Sequence, residues 1–217
     1  INKQYLYNNI IWAQNLRLFF MTLANIQSEF LVLSDDPSIS SAQASIWINA
    51  YYRLLMHEYA WPFLVATGTY TTTSGTAEKT FSAFSTAISN FGKPLRVWNG
   101  TTEIAPMHYE ERNIPGNKGY YITPDNLSIG IIPAPTNSTD TITVDYLKIV
   151  DDLSAGADTP VFMKDFHYIM VWGPLISYQL VNRENTDEFK VMYERILNDM
   201  IAFYKVPSPT VIPTMMR

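Results

Sequence analysis

Residues 51–73 read YYRLLMHEYAWPFLVATGTYTTT, and inside this stretch the chain changes its hydrophobic period. Up to Tyr59 the apolar residues recur at helical spacing, as in Trp47, Tyr51, Leu55 and Tyr59, with Ala50 and Leu54 alongside. Pro62 has no amide hydrogen and cannot continue a helix. Beyond it Val65 to Thr73 is Thr-rich and alternating, the pattern of a half-buried strand. A second change comes near Pro160, after which Phe166, Ile169, Met170, Gly173, Ile176, Ser177 and Leu180 restore helical spacing. Helices therefore bracket a β-rich insert that is too large to be a loop. The fold class this predicts is α+β, a helical bundle built from both ends of the chain with an inserted antiparallel β-sandwich or barrel-like module. The boundaries read as 1–63 and 160–204 for a discontinuous helical domain, 64–159 for the β module and 205–217 for an extended Pro-rich arm.

Working outward from the first switch, residues 2–31 place Tyr5, Trp12, Leu16, Phe19, Leu23, Ile26 and Phe30 on a common stripe and read as one helix. Asp35-Asp36-Pro37 makes a turn, and Ser40 or Ser41 can cap the helix that follows, because a hydroxyl there accepts free N–H groups of the first turn. Inside the insert, Leu95–Trp98 and Thr101–Ile104 flank Asn99-Gly100, whose tolerance of positive φ predicts a type I′ hairpin. Gly119–Thr123 and Leu127–Ile132 flank a second turn at Pro124-Asp125-Asn126. Thr141–Val150 alternates, with Ile142, Val144 and Tyr146 on one face. Phe81, Phe84, Ile88 and Phe91 have helical spacing, but the Ser and Thr around them and Gly92 favour an extended, irregular path.

Asp158-Thr159-Pro160 looks like a helix entry, and Gly173-Pro174 should kink the helix it opens. Asn185 and Glu188 have capping-box spacing. A last helix carries Phe189, Met192, Tyr193, Ile196, Met200 and Phe203. After Lys205, Pro207, Pro209 and Pro213 exclude a regular helix or a central strand. The segment is apolar enough to dock on a partner through Val211, Ile212, Met215 and Met216 together with those prolines.

Composition narrows the function. At 47% hydrophobic and 16% charged residues the chain is a folded protein. Its net charge of −5, with no Lys/Arg run, argues against a nucleic-acid binder, although an acidic wall would let DNA pass without sticking. The absence of Cys removes disulfides, thiolate catalysis and Cys-based metal sites. Ile10–Met21 is too short and too polar to span a bilayer, and no membrane partner is expected. The 14 tyrosines suit half-buried surfaces such as subunit contacts, or the core of a Tyr-rich β module.

Residues that could carry chemistry do not combine. His57, His108 and His167 fall in no zinc-binding spacing, and His57 reads as a helix C-terminal dipole partner. Glu110-Glu111 would point to opposite faces of an extended segment and could not flank one glycosidic bond. Asp151-Asp152 alone lacks the ligand count of a calcium site. Gly116-Asn117-Lys118-Gly119 precedes a strand rather than a helix and reads as a turn, not a phosphate loop. We therefore assign no catalytic, cofactor or metal residue, and expect no enzyme.

Two groups of residues carry a resemblance. Pro37-Ser38-Ile39-Ser40-Ser41-Ala42-Gln43-Ala44-Ser45-Ile46-Trp47-Ile48-Asn49, closing at Glu58-Tyr59-Ala60-Trp61-Pro62-Phe63, is followed by Thr67–Thr73 and Ser74-Gly75-Thr76. Later come Ile132-Pro133-Ala134-Pro135, Thr141–Tyr146, Asp152-Leu153 and Asp158-Thr159-Pro160. Over roughly residues 22–204 this resembles the tailed-bacteriophage head-to-tail adaptors, including the tail tubular protein A type. Two details depart from that pattern: the segment before Tyr120-Tyr121 lacks its Pro, and the first helix is long. The resemblance implies a structural virion protein assembled in the host cytoplasm. It also implies a homo-oligomeric ring of twelve subunits between the portal protein and a tail nozzle or tail tube, through which DNA passes without specific binding. A different reading starts from Trp98, Tyr109, Tyr120 and Tyr121, rings that could bind a partner or stack on sugars in a glycan-binding or hydrolytic β-sandwich.

Overall fold

The computed structural model describes residues 21–182 and 186–206, and the first of the described helices starts at Leu23. Thr22 is extended (ψ 165°) and caps it: the Asn25 N–H donates to Thr22 Oγ1 and the Thr22 N–H donates to Asn25 Oδ1. A single helix through 2–31 is thereby corrected, because the cap satisfies amides that a continuing helix would use; residues 1–20 of that reading lie outside the described residues. Helix α1 spans Leu23–Ser34 and α2 spans Ser41–Glu58, the latter capped reciprocally by Ser40 and Gln43. The last two helices are α3, Ile169–Val181, and α4, Asp187–Tyr204.

The return to helix comes later than Pro160. Between residues 160 and 168 the backbone groups are held by side chains instead of by helical bonds: the Val161 N–H donates to the Tyr52 hydroxyl, the Met163 N–H to the Tyr204 hydroxyl, and His167 Nε2–H to the Phe162 carbonyl. Only a single 3₁₀ turn, Lys164–Phe166, forms there. The Asn185–Glu188 capping box falls outside the described groups, and Thr186 at the α4 N-cap makes no side-chain capping bond. At the other end of α4, Lys205 adopts the left-handed conformation, and the Val206 and Lys205 amides bond back to the Ile201 and Ala202 carbonyls. Lys205 and Val206 are thus part of the helix end, and an arm can start no earlier than 207.

The chain divides into two compact units. One takes the described residues up to Tyr59 and from Asp151 onward; the other is Ala60–Val150. Residues 151–159, assigned from sequence to the β module, belong with the helices. The buried Asn49 amide donates to the Leu153 carbonyl at 3.0 Å and its carbonyl accepts from the Leu153 N–H at 2.8 Å. The first two amides of α1, at Leu23 and Ala24, donate to Asp158 and Gly156, so this segment closes a helix end that would otherwise be unsatisfied. Helix α3 packs against the other three helices, and its residues Ile169–Leu175 are all buried. Gly173 is required by this packing: a Cβ there would lie 2.1 Å from Cζ of Tyr51 on α2.

The second unit holds two antiparallel sheets. Strands β1 (Val65–Thr71), β7 (Thr141–Lys148), β3 (Phe91–Asn99) and β4 (Thr102–Ile104) lie in the order β1-β7-β3-β4. Strands β2 (Glu78–Thr80), β6 (Ser128–Ile132) and β5 (Gly119–Ile122) form the other, in the order β2-β6-β5. The chain leaving β4 crosses between them, since Pro106 bridges Tyr120 and the Tyr120 amide donates to the Ala105 carbonyl. Pro94 is accommodated in β3 because the strand bulges between Pro94 and Arg96. The hairpin β3–β4 forms, but its turn is one residue later than the sequence suggested. Asn99 pairs with Thr102, leaving Gly100 (φ 56°) and Thr101 as the loop; Thr101 lacks the positive φ that a I′ turn requires. Phe81, Phe84, Ile88 and Phe91 follow an irregular path with one 3₁₀ turn and fill the core with Val97, Ile129, Ile142 and Val144. Phe81 and Phe91 stack at 4.0 Å.

Gly173→Ala should destabilise the helical unit by about 1–3 kcal/mol through overpacking against Tyr51. Gly130→Ala should do the same in the β unit, where the added Cβ would sit 2.1 Å from Cζ of Tyr121. Denaturant unfolding of each variant measures both; midpoints equal to that of the parent would contradict the packing.

Candidate functional site: partner-binding surfaces

The four aromatic candidates of the β unit separate into two kinds. Tyr120 and Tyr121 are buried, at 6% and 3% exposure, and are withdrawn as partner-binding residues. Strand alternation does not apply to them because β5 is covered on both faces. Tyr121 is built into its surroundings: its hydroxyl donates to Glu78 Oε1 at 2.9 Å and Tyr109 meets its ring edge-on at 5.5 Å. Burial and the Glu78 carboxylate push this phenol up to about 12. Trp98 and Tyr109 remain half-buried. Trp98 lies on β3 of the four-stranded sheet, whereas Tyr109 sits in the 3₁₀ turn Tyr109–Asn113 with the Arg112 guanidinium 3.6 Å above its ring. The tail candidates Pro207, Pro209, Val211, Ile212, Pro213, Met215 and Met216 lie outside the described residues.

The titratable residues have structural employment. Glu110 and Glu111 occupy that 3₁₀ turn and not an extended segment, and Glu111 Oε2 accepts from the His108 N–H at 3.1 Å. Asp152 pairs with Arg53 at 3.0 Å on the surface. Asp158 accepts from the Ser154 and Ala155 amides, which hold its carboxyl below the usual range. His57 is exposed in the last turn of α2. His167 is buried, and its two nitrogens are both used: Nδ1 accepts from the Met21 N–H at 3.1 Å and Nε2–H donates to the Phe162 carbonyl at 3.0 Å. This pattern fixes the neutral ring. Among the described residues no three His, Asp or Glu come together as a metal-holding group, and no described helix is long and apolar enough to cross a membrane.

Sequence reasoning missed the apolar surfaces of the helices. Leu54 and Ala50, read with the core stripe of α2, turn outward with Ala42 and Ile46; Ile46 is 67% and Leu54 60% exposed. On α4, only Met200 of the predicted stripe is fully buried, and Phe203 is 55% exposed. The signal was the width of these apolar faces, which exceeds what one neighbouring helix covers.

The family model of the SU10 adaptor protein matches residues 21–213, both units included. The chain belongs to the SU10 adaptor protein family. The match begins at Met21, one residue before the Thr22 cap that opens α1. Membership makes the chain a bacteriophage head-to-tail adaptor, a structural component of the virion that associates with portal and tail proteins. No curated protein matches the chain.

Burial holds the His167 imidazole below its ordinary pKa. In the unfolded adaptor the same ring takes up a proton near pH 6.5, so unfolding binds a proton and stability falls as pH drops below about 6.5. The melting temperature of the adaptor should decline from pH 7 to about 5.5, and His167→Gln should flatten that decline. An equally steep decline in the variant would contradict the neutral-ring assignment.

Proposed function

We propose that the adaptor is of the tail tubular protein A type. Copies of it form a ring, twelve in number by analogy with that type, that joins the portal protein to a tail nozzle or tail tube and lines the channel through which the genome leaves. The observation that carries this reading is the family match over residues 21–213. The charge supports it: a net −5 per copy, repeated around a ring, gives an acidic wall that DNA does not adhere to. The division into two units supports it as well. Helices with uncovered apolar faces suit ring contacts, and a β unit with its own core suits a separate contact with the next tail component. Assembly takes place in the host cytoplasm, and the Pro-punctuated residues 207–217 dock on a neighbouring subunit. The glycan-binding reading has two of its four rings buried, Tyr120 in the β core and Tyr121 against Glu78 and Tyr109.

Mixing the full chain with its portal and recording solution mass and negative-stain images tests the proposal. A ring seated on the portal is the expected outcome; a chain that neither rings nor docks would overturn it. Deleting residues 207–217 should weaken assembly and leave the monomer folded, because the last described cap residue, Val206, is retained. Assembly equal to the parent's would remove the arm from the account.

A further inference from the structure

We propose that residues 1–20 and 207–217 leave the helical unit at one corner and dock together on a single neighbouring copy, a joint that rests on the ring reading above and specifies which segments make it. The first observation is where the described residues begin and end. At the start, the Met21 N–H donates to Nδ1 of the buried His167 at 3.1 Å, and the Met21 side chain is itself buried. At the far end, the Tyr204 hydroxyl accepts from the Met163 N–H at 3.0 Å, and the Phe166 ring packs on Phe203 and Tyr204 at 5.5 and 6.1 Å. Val206, buried two residues later, closes α4 through its bond to the Ile201 carbonyl. Met163 and His167 flank the single 3₁₀ turn Lys164–Phe166, so the two ties are separated by about 8 Å of backbone rise. Both outer segments therefore set out from the same short stretch of the helical unit.

The second observation is a division of charge. Residues 1–20 carry Lys3 and Arg17 and no acid, and residues 207–217 carry Arg217 and no acid, a net +3 over the two segments. Residues 21–206 hold the other 12 bases and all 20 acids, a net −8. Most of that excess sits in the helical part, where residues 21–59 and 151–206 hold 13 acids against 6 bases. The outer segments are also apolar, through Ile10, Ile11, Trp12 and Leu16 at one end and Val211 and Ile212 at the other. An acidic surface attracts such a segment by charge at a distance and holds it by apolar burial on contact.

Charge also selects the partner. Bodies of net −8 repel one another, and the outer segments are what each copy holds of the opposite sign. Fully extended, 20 residues reach up to about 70 Å and 11 residues up to about 40 Å, enough to cross onto an adjoining copy. Because the two segments set out from one corner, docking of either holds the other beside the same copy and raises its effective concentration there. A segment and the body surface it meets are different, so the contact is heterologous and continues around a ring rather than stopping at a dimer.

The test follows three forms by sedimentation velocity where the full chain assembles: the full chain, a variant lacking residues 1–17 and a variant lacking residues 207–217. The first deletion keeps the Met21 amide that binds His167, and the second keeps the Val206 cap. Circular dichroism checks helix content, and Lys3→Glu with Arg17→Glu takes the place of the first deletion if that variant loses helix. Each variant alone should associate at least tenfold more weakly, and association of the full chain should weaken as salt rises from about 0.1 to 0.5 M. An equimolar mixture of the two variants should stay as weak as either alone, because every joint then lacks one segment. A mixture that pairs one-to-one at the strength of the full chain overturns the proposal, since segments that reach two different neighbours complement each other in that way. Variants that assemble like the full chain, or association that salt leaves unchanged, overturn the joint and leave the ring reading standing. A lower melting temperature for the first variant at unchanged assembly overturns it too, and assigns residues 1–20 to the body of their own copy. A full chain that never associates, even with portal, overturns the ring reading and the joint together.

Discussion

The helical unit depends on a clamp between residues 104 positions apart, the two-way hydrogen bonding of the buried Asn49 amide with the Leu153 backbone. The chain leaves this unit after Tyr59 and comes back at Asp151. Closing a loop of that length costs on the order of 4 kcal/mol in chain entropy if the loop is flexible. The intervening residues fold around their own core, which reduces the cost. What remains has to be offset at the re-entry point, and Asn49 does so where water cannot compete. Arg53 and Asp152 add a weaker exposed pair beside it. From Leu153 onward the returning chain supplies the carbonyls that close the first turn of α1, so the same few residues join α1 and α2.

Much of this was legible in the sequence where a local rule acts alone. Ser40 and Gln43 cap α2 because hydroxyl, amide and spacing suffice without help from distant residues. The face of β7 carrying Ile142, Val144 and Tyr146 followed from strict alternation. The readings that failed are those in which distant groups decide. Residues 160–168 have an ordinary helix entry, yet the Tyr52 and Tyr204 hydroxyls and the His167 ring bind the backbone at Val161, Met163 and Phe162 and hold the stretch in a non-helical path. Tyr120 and Tyr121 have the composition of a binding surface, and only the covering of β5 on both sides buries them. The turn after Asn99 moved by one residue because the pairing of Asn99 with Thr102 fixes the register and leaves Gly100 to take the positive φ.

For the function, the sequence carried the family and the absence of a catalytic spacing, but not the surfaces. Periodicity identifies an apolar stripe without saying how much of it a neighbour covers. That is why Leu54 reads as core and lies outside, and why α4 looks like a finished helix while most of its apolar face is half-covered. In the proposed ring such uncovered faces are the surfaces on which subunits meet. The β unit, with its interior filled by Phe81, Phe91 and their neighbours, needs no partner to be complete.

The central claim is that the helices make the assembly contacts and the β core does not. Hydrogen–deuterium exchange of the full chain before and after assembly tests it most directly. The account predicts new protection on α2 and α4 with the β6 and β7 amides unchanged. Protection gained only within Ala60–Val150, with α2 and α4 exchanging as before, would contradict it.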